Sequence, residues 1–310
     1  MAKTLVGTWE AADGSPFAWK RWLPDGPPRA LVIASHGMSC CVDDFDPLGE
    51  VFAAHGIAMA AWNLRGQGCD PDVSRRGAWL DADGWLQDLS GFSKLVDGGD
   101  LPLFLCGESM GALLSLQAAS REPWKTRISG LMLFVPVAKL AQKNPPWMKS
   151  FLKWMSNTFP AFRLNASWFV HGRPTTPQLT RIPERQHYVE TSPHQLGPVT
   201  LGYLASMGEL IEAAVPAAEA LEVPVALFSA GHDAFITASQ TREFFDRIHS
   251  GDKALFEYPD GYHQLLFDLD ANKVVDDATR WIQAQLASAR GSKNDIIENT
   301  GGRGTRRAVD

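Results

Sequence analysis

The sequence predicts an α/β fold, in which a mostly parallel central sheet carries helices on both faces. Three observations predict it. Short apolar runs alternate with segments of helical period along most of the chain. The central runs, such as ALVIAS at 30–35, stay apolar at every position, as strands buried on both faces must. The rhythm breaks once, between residues 139 and 203, and then resumes.

The elements follow in order. Residues 4–10 and 16–23 alternate in side-chain type around Asp13-Gly14-Ser15, which predicts an antiparallel hairpin. Strands are predicted at 30–35, 57–63, 101–106, 128–135, 223–229 and 254–258. Helices are predicted at 45–55, 79–96, 110–121, 238–248 and 266–286. Gly56 ends the first of these helices.

Residues 1–138 and 204–287 are thus expected to form one core. Residues 139–203, rich in Pro and aromatics, are expected to form an inserted, mainly helical cap over one end of the sheet, because so long a loop without structure is unusual in a compact domain. The segment 288–310 has few apolar residues and is expected to be a disordered tail.

Composition narrows the function classes. With 45% hydrophobic and 21% charged residues, the chain can bury a large core. A net charge of −6 argues against a general nucleic-acid binder, which needs a basic face. No apolar run has signal-peptide or membrane-span length, so the expected location is the cytoplasm. Cys40, Cys41, Cys69 and Cys106 show no zinc-ligand spacing, and no metal or organic cofactor is expected.

The chemistry is carried by Gly107-Glu108-Ser109-Met110-Gly111. In a chain with 27 glycines this pattern is weak by itself, so its setting decides. It follows a predicted buried strand and precedes a predicted helix, where a nucleophile elbow must sit. The sharp turn lifts the serine hydroxyl clear of the sheet, and the helix N-terminus behind it favours a developing oxyanion. A serine hydroxyl needs a base, and the base needs an orienting acid.

His263, just after the last predicted strand, is the base by elimination. His171, His187 and His194 fall in the insert, His232 precedes the best acid, and His249 belongs to a helix end. Asp233, after the strand at 223–229, is the acid. Asp260 and Asp268 are rivals whose simpler roles are turn formation and a solvated helix face. The backbone amides of Met38, after His36-Gly37, and of Met110 are the candidate oxyanion donors. His36 itself is expected to order its loop.

Taken together, His36-Gly37, Asn63-Leu-Arg-Gly-Gln-Gly68, Gly107–Gly111, Gly231-His-Asp233 and Tyr262-His263 resemble the α/β-hydrolase superfamily, and within it the monoacylglycerol lipase and lysophospholipase-like branch. The resemblance spans about residues 4–286. It implies an α/β-hydrolase fold, Ser109, Asp233 and His263 as a catalytic triad, Met38 and Met110 as oxyanion amides, and a lipophilic ester as small-molecule substrate. The branch usually reads Asp-x-Arg-Gly-His-Gly-x-Ser after the second parallel strand. Here Asn63, Gln67 and Asp70 replace the Asp, His and Ser.

Within the cap, Trp147, Phe151, Trp154, Met155, Phe159 and Phe162 fall on one face of a single predicted helix. This stripe is either the cap's own core or a surface that lines an acyl pocket and touches lipid transiently. Trp147, Phe151, Trp154 and Phe159 are the candidate substrate contacts. The leading expectation is ester hydrolysis through an acyl-enzyme. The same triad also serves amide, peptide or carbon–carbon cleavage and acyl transfer. A non-catalytic ligand binder on the same fold is the remaining reading.

Overall fold

The computed structural model describes residues 3–78, 81–140, 146–165 and 178–301. Its main sheet has eight strands: β1 (Lys3–Glu10), β2 (Pro16–Leu23), β3 (Ala30–Ser35), β4 (Ile57–Trp62), β5 (Leu103–Glu108), β6 (Gly130–Phe134), β9 (Val225–His232) and β10 (Lys253–Tyr262), in the order β1-β2-β4-β3-β5-β6-β9-β10. The β1–β2 and β2–β4 pairs are antiparallel, and every later pair is parallel. A small second sheet pairs β7 (Arg163–Leu164) with β8 (Val199–Thr200).

Ten helices occur among the described residues: α1 (Asp46–Ala54), α2 (Ala82–Leu95), α3 (Met110–Ala119), α4 (Trp124–Arg127), α5 (Pro146–Thr158), α6 (Pro183–Thr191), α7 (Leu201–Glu212), α8 (Ala214–Glu219), α9 (Ala238–Asp246) and α10 (Ala271–Gly301). None of the described helices is long and apolar enough to cross a membrane.

The period of two along each strand builds two cores. Leu31, Ile33, Leu103 and Leu105 point to one face, where Trp85, Leu89 and Phe92 of α2, Leu113 and Leu116 of α3 and Tyr203 of α7 meet them. Val32, Ala34, Phe104 and Cys106 point to the other, against Leu48 and Phe52 of α1 and Trp281, Ile282 and Leu286 of α10. Both faces are covered, which is why β3, β4 and β5 are buried at every residue. Burying one such Leu, Ile or Phe contributes roughly 1.5–3 kcal/mol.

Three expectations change. The single cap helix ends at Thr158, because Pro160 disfavours helical geometry at the residue before it. Phe159 and Phe162 therefore leave the stripe. The last helix continues through residues 288–301, expected as tail, as an extension of a helix already anchored by Trp281, Ile282 and Leu286. Residues 302–310 lie outside the described residues. Finally, α7 starts at Leu201, inside the expected cap, and its buried Tyr203 and Leu210 join the main core.

Candidate active site

Ser109 stands between the last residue of β5 and the first of α3, with φ 54° and ψ −114°. A non-glycine residue held there stores about 1–3 kcal/mol of strain. The surroundings leave no alternative. Its amide donates to the Phe134 carbonyl at 2.9 Å. A Cβ at Gly107 would stand 2.2 Å from the Gly111 carbonyl oxygen, and one at Gly111 2.0 Å from that of Ser35. Strand, turn and helix are thus packed backbone to backbone, and glycine is required at both positions.

The loop after β3 lies against this turn. A Cβ at Gly37 would come within 3.2 Å of the Ser109 Cβ. Met38 follows in that loop, and Met110 is the first residue of α3. Among the described residues, neither the Met38 nor the Met110 amide finds an acceptor. His36 holds the loop as expected. It is fully buried, its Nδ1–H donates to the Gly37 carbonyl at 2.8 Å, and its Nε2 accepts from the Leu64 amide at 2.9 Å. Burial pushes its pKa down to about 4, so the ring is neutral.

Asp233 and His263 meet because of strand register. β9 and β10 are parallel with His232 opposite Tyr262, so the residues that follow both strands are neighbours. His263 Nδ1 lies 2.6 Å from Asp233 Oδ2, and both side chains are buried. The other Asp233 oxygen accepts from the amides of Phe235 at 2.8 Å and Ile236 at 3.3 Å, which fixes the carboxylate. The Phe235 ring stands edge-on to the imidazole at 4.6 Å. Burial pushes His263 down, but the charge and hydrogen bond of Asp233, with a contribution from Glu108, outweigh it and the net shift is upward.

The rival acids take other roles. Asp260 is exposed. Asp268 is buried and accepts from the Tyr262 amide at 2.9 Å, the Arg181 amide at 2.7 Å and Arg181 Nε at 3.0 Å. A solvated helix face is therefore the wrong description of it. It braces the loop that carries His263.

The cap reaches this loop directly. The Gln264 amide donates to the Leu179 carbonyl at 2.8 Å. Arg185 of α6 donates from Nε to Gln264 at 2.8 Å and from Nη2 to Asp44 at 2.5 Å, and lies over the Phe267 ring at 3.7 Å. Sequence reasoning missed Arg185, Asp44 and Glu108. Arg185 and Asp44 carry no local motif. Glu108 lay in view inside the elbow, where an acid on a fully buried strand was the available signal.

The three departures from the usual pattern after β4 keep the turn. Asn63 Oδ1 accepts from the Val42 amide at 3.0 Å. Gln67, fully buried, donates to the Tyr203 hydroxyl at 3.0 Å and accepts from the Ser39 amide at 3.4 Å. Asp70, fully buried, accepts from the Gly66 amide at 2.7 Å and from Arg75 Nη2 at 2.9 Å. Arg65 is held by Asp88 at 2.8 Å and Asp13 at 2.5 Å, a bracing role.

Of the candidate substrate contacts, Phe151, Trp154 and Phe159 are about half exposed, as is Phe162. A packed cap core is thus not their role. The Trp147 side chain lies outside the described residues, as does His171. A cavity of about 560 Å³ lined by Leu31, Leu103, Trp124 and Arg127 opens at the opposite end of β3 and β5 from Ser109, and holds no part of this site. No group of three or more potential metal ligands occurs among the described residues.

Comparison with known proteins places the chain. The family model described as serine aminopeptidase, S33, matches residues 26–270. Rat monoglyceride lipase is 25% identical over 287 residues, covering 90% of each chain. The Mycolicibacterium smegmatis monoacylglycerol lipase is 24% identical over 280 residues, covering 88% of this chain and 95% of that one. Among solved structures, the Paleococcus ferrophilus monoacylglycerol lipase superposes with a TM-score of 0.73 at 20% identity, covering 91% of this chain and 99% of that one. A soluble variant of Saccharomyces cerevisiae monoglyceride lipase, in complex with a substrate analogue, superposes with a TM-score of 0.76 at 18% identity, covering 92% and 95%. These structures share the fold.

Proposed function

The chain belongs to the serine aminopeptidase S33 family of α/β-hydrolases, and from that premise we propose that it hydrolyses carboxylic esters of lipophilic alcohols and acids, monoacylglycerols and lysophospholipids among them. The observation that carries this reading is the 2.6 Å contact of His263 with Asp233, set beside a strained serine elbow with two backbone amides that find no acceptor among the described residues. In the proposed cycle Ser109 Oγ attacks the ester carbonyl as its proton passes to His263 Nε2. Asp233 holds the Nδ1–H tautomer and stabilises the imidazolium. The Met38 and Met110 amides receive the oxyanion, an interaction worth about 10²–10³-fold in rate per donor. The imidazolium protonates the leaving alcohol, and water activated by His263 then releases the acid from the acyl-enzyme. No step needs a metal or an organic cofactor.

Substrate choice belongs to the cap, which starts at residue 139 and ends before α7 begins at Leu201. The exposed Phe151, Trp154 and Phe159 support a surface that meets acyl chains or lipid aggregates transiently. A cytoplasmic compartment is part of the same proposal, since all four cysteines are free thiols. Amide cleavage is the second reading, favoured by the family's description as an aminopeptidase. The test is a panel of p-nitrophenyl esters of increasing acyl length, monoacylglycerols and aminoacyl amides, run on wild type and Ser109→Ala. Ester turnover that Ser109→Ala abolishes is the expected result. Amide turnover exceeding ester turnover would select the second reading.

A further inference from the structure

Glu108 is the residue beside the proposed nucleophile, and its setting is unusual for an acid. Along β5 the side chains alternate, so Glu108 shares a face with Phe104 and Cys106. That face belongs to the core cluster that also holds Val42, Phe45, Leu265 and Leu266, the last two just after His263. Glu108 is only 4% exposed. Among the described residues its carboxyl has neither an ion-pair partner nor a hydrogen bond. Buried acids are rarely left unpaired unless the charge is used.

The groups around it explain what the charge meets. The titratable groups that interact electrostatically with it are Asp44 of the turn Val42–Phe45, Cys40 of the loop after β3, Cys106 of its own strand, Arg185 of α6 and His263 of the loop after β10. Arg185 is already committed to Asp44 at 2.5 Å and to Gln264 at 2.8 Å. Asp233 meets His263 Nδ1 at 2.6 Å. The Asp44–Arg185 pair is neutral overall. When His263 takes a proton, Asp233 balances it, and Glu108 is the further negative charge in reach.

We infer that Glu108 is a positioning residue for the reaction, whose buried carboxylate acts with Asp233 to stabilise the His263 imidazolium formed during acyl transfer. It acts through space, on a proton that passes from Ser109 Oγ to His263 Nε2 and on to the leaving alcohol. The inference rests on the proposed triad. Electrostatics agree. Burial and then Asp44 raise the Glu108 pKa, His263 and Arg185 oppose them, and the result is about 7. Glu108 in turn raises His263. The carboxyl is therefore neutral in mild acid and charged in mild base, and its help switches on across neutrality.

The experiment is the pH profile of kcat/KM for a p-nitrophenyl ester with wild type, Glu108→Gln, Glu108→Asp, Asp44→Asn and Ser109→Ala. The wild-type to Glu108→Gln ratio is expected to stay near one below pH 6 and rise roughly three- to tenfold above pH 8. Glu108→Asp keeps the charge and restores the rise. In Asp44→Asn the rise moves to lower pH, because a repelling charge is gone. A ratio that is constant with pH, with Ser109→Ala inactive, overturns the inference and leaves the triad standing. Full activity in Ser109→Ala overturns the triad itself. If Glu108→Gln does not fold, the Asp44→Asn profile decides, and an unmoved profile overturns the inference.

Discussion

Replacing Arg185 by alanine should loosen the molecule at one seam. Its guanidinium joins α6 to the core through Asp44 at 2.5 Å and Gln264 at 2.8 Å, and covers the Phe267 ring at 3.7 Å. The Arg185 and Asp44 side chains are 14% and 6% exposed, so the pair is largely out of water. Removing one partner of a buried pair costs about 3–5 kcal/mol, because the other charge is left behind. Asp44 keeps one hydrogen bond, from the Cys41 amide at 2.7 Å, which places the expected loss near the lower limit, at about 3 kcal/mol. For a chain of 310 residues that corresponds to a fall in Tm of roughly 4–6 °C.

Asp44→Asn should cost less, about 1–2 kcal/mol, since Arg185 can turn its charge toward solvent. The double variant Asp44→Asn/Arg185→Ala should lose at least about 1.5 kcal/mol less than the sum of the singles. Urea unfolding of the four proteins measures the coupling. Hydrogen exchange should show the loss concentrated at 179–191 and 262–268. Additive singles, or an Arg185→Ala loss below about 1 kcal/mol, would refute the claim that this pair clamps the cap to the histidine loop.

Three further outcomes are expected. Asp233→Asn should keep its fold and lose roughly 10⁴-fold in kcat, as the imidazole loses its correct tautomer; circular dichroism with steady-state kinetics checks both halves. Glu108→Gln should be more stable than wild type in mild base. The folded-state pKa of Glu108 is raised from 4.5 to about 7, so its stabilising contribution is complete below pH 4.5 and lost as pH rises through 7. The difference should approach about 3 kcal/mol at pH 8 and vanish near pH 4.5, read from denaturant midpoints. Phe151→Ser/Trp154→Ser should leave turnover of a soluble short-chain ester unchanged and weaken binding to phospholipid vesicles, measured by co-sedimentation; equal vesicle binding would remove the lipid-surface role of the cap.

The features that could be read in the sequence are those fixed by local chemistry. The runs ALVIAS and LFLC had to be strands buried on both faces, and Ser109 between such a strand and a helix had to sit on a strained turn. Asp233 and His263 could be read because each follows a strand, and parallel register then makes them neighbours. Arg185 and the surroundings of Glu108 are not legible in the sequence. The charge on Glu108 matters only because Asp44, Arg185 and His263 converge on it from separate elements, and Arg185 finds Asp44 across 141 residues. Such pairings depend on how the cap docks, and no periodicity encodes that. Asp268 was misjudged for the same reason: its partner Arg181 arrives from the insert. The aromatic stripe has the spacing of one helix, but Pro160 ends that helix at Thr158.

The central claim is that Ser109, served by His263 and Asp233, is the nucleophile of an acyl-enzyme mechanism. Intact-protein mass spectrometry after treatment with a fluorophosphonate tests it most directly. One adduct per chain, mapped to Ser109, absent in Ser109→Ala and formed far more slowly in His263→Ala and Asp233→Asn, is the predicted result. Ester turnover that persists with Ser109 unlabelled, or an adduct on another residue, would contradict it.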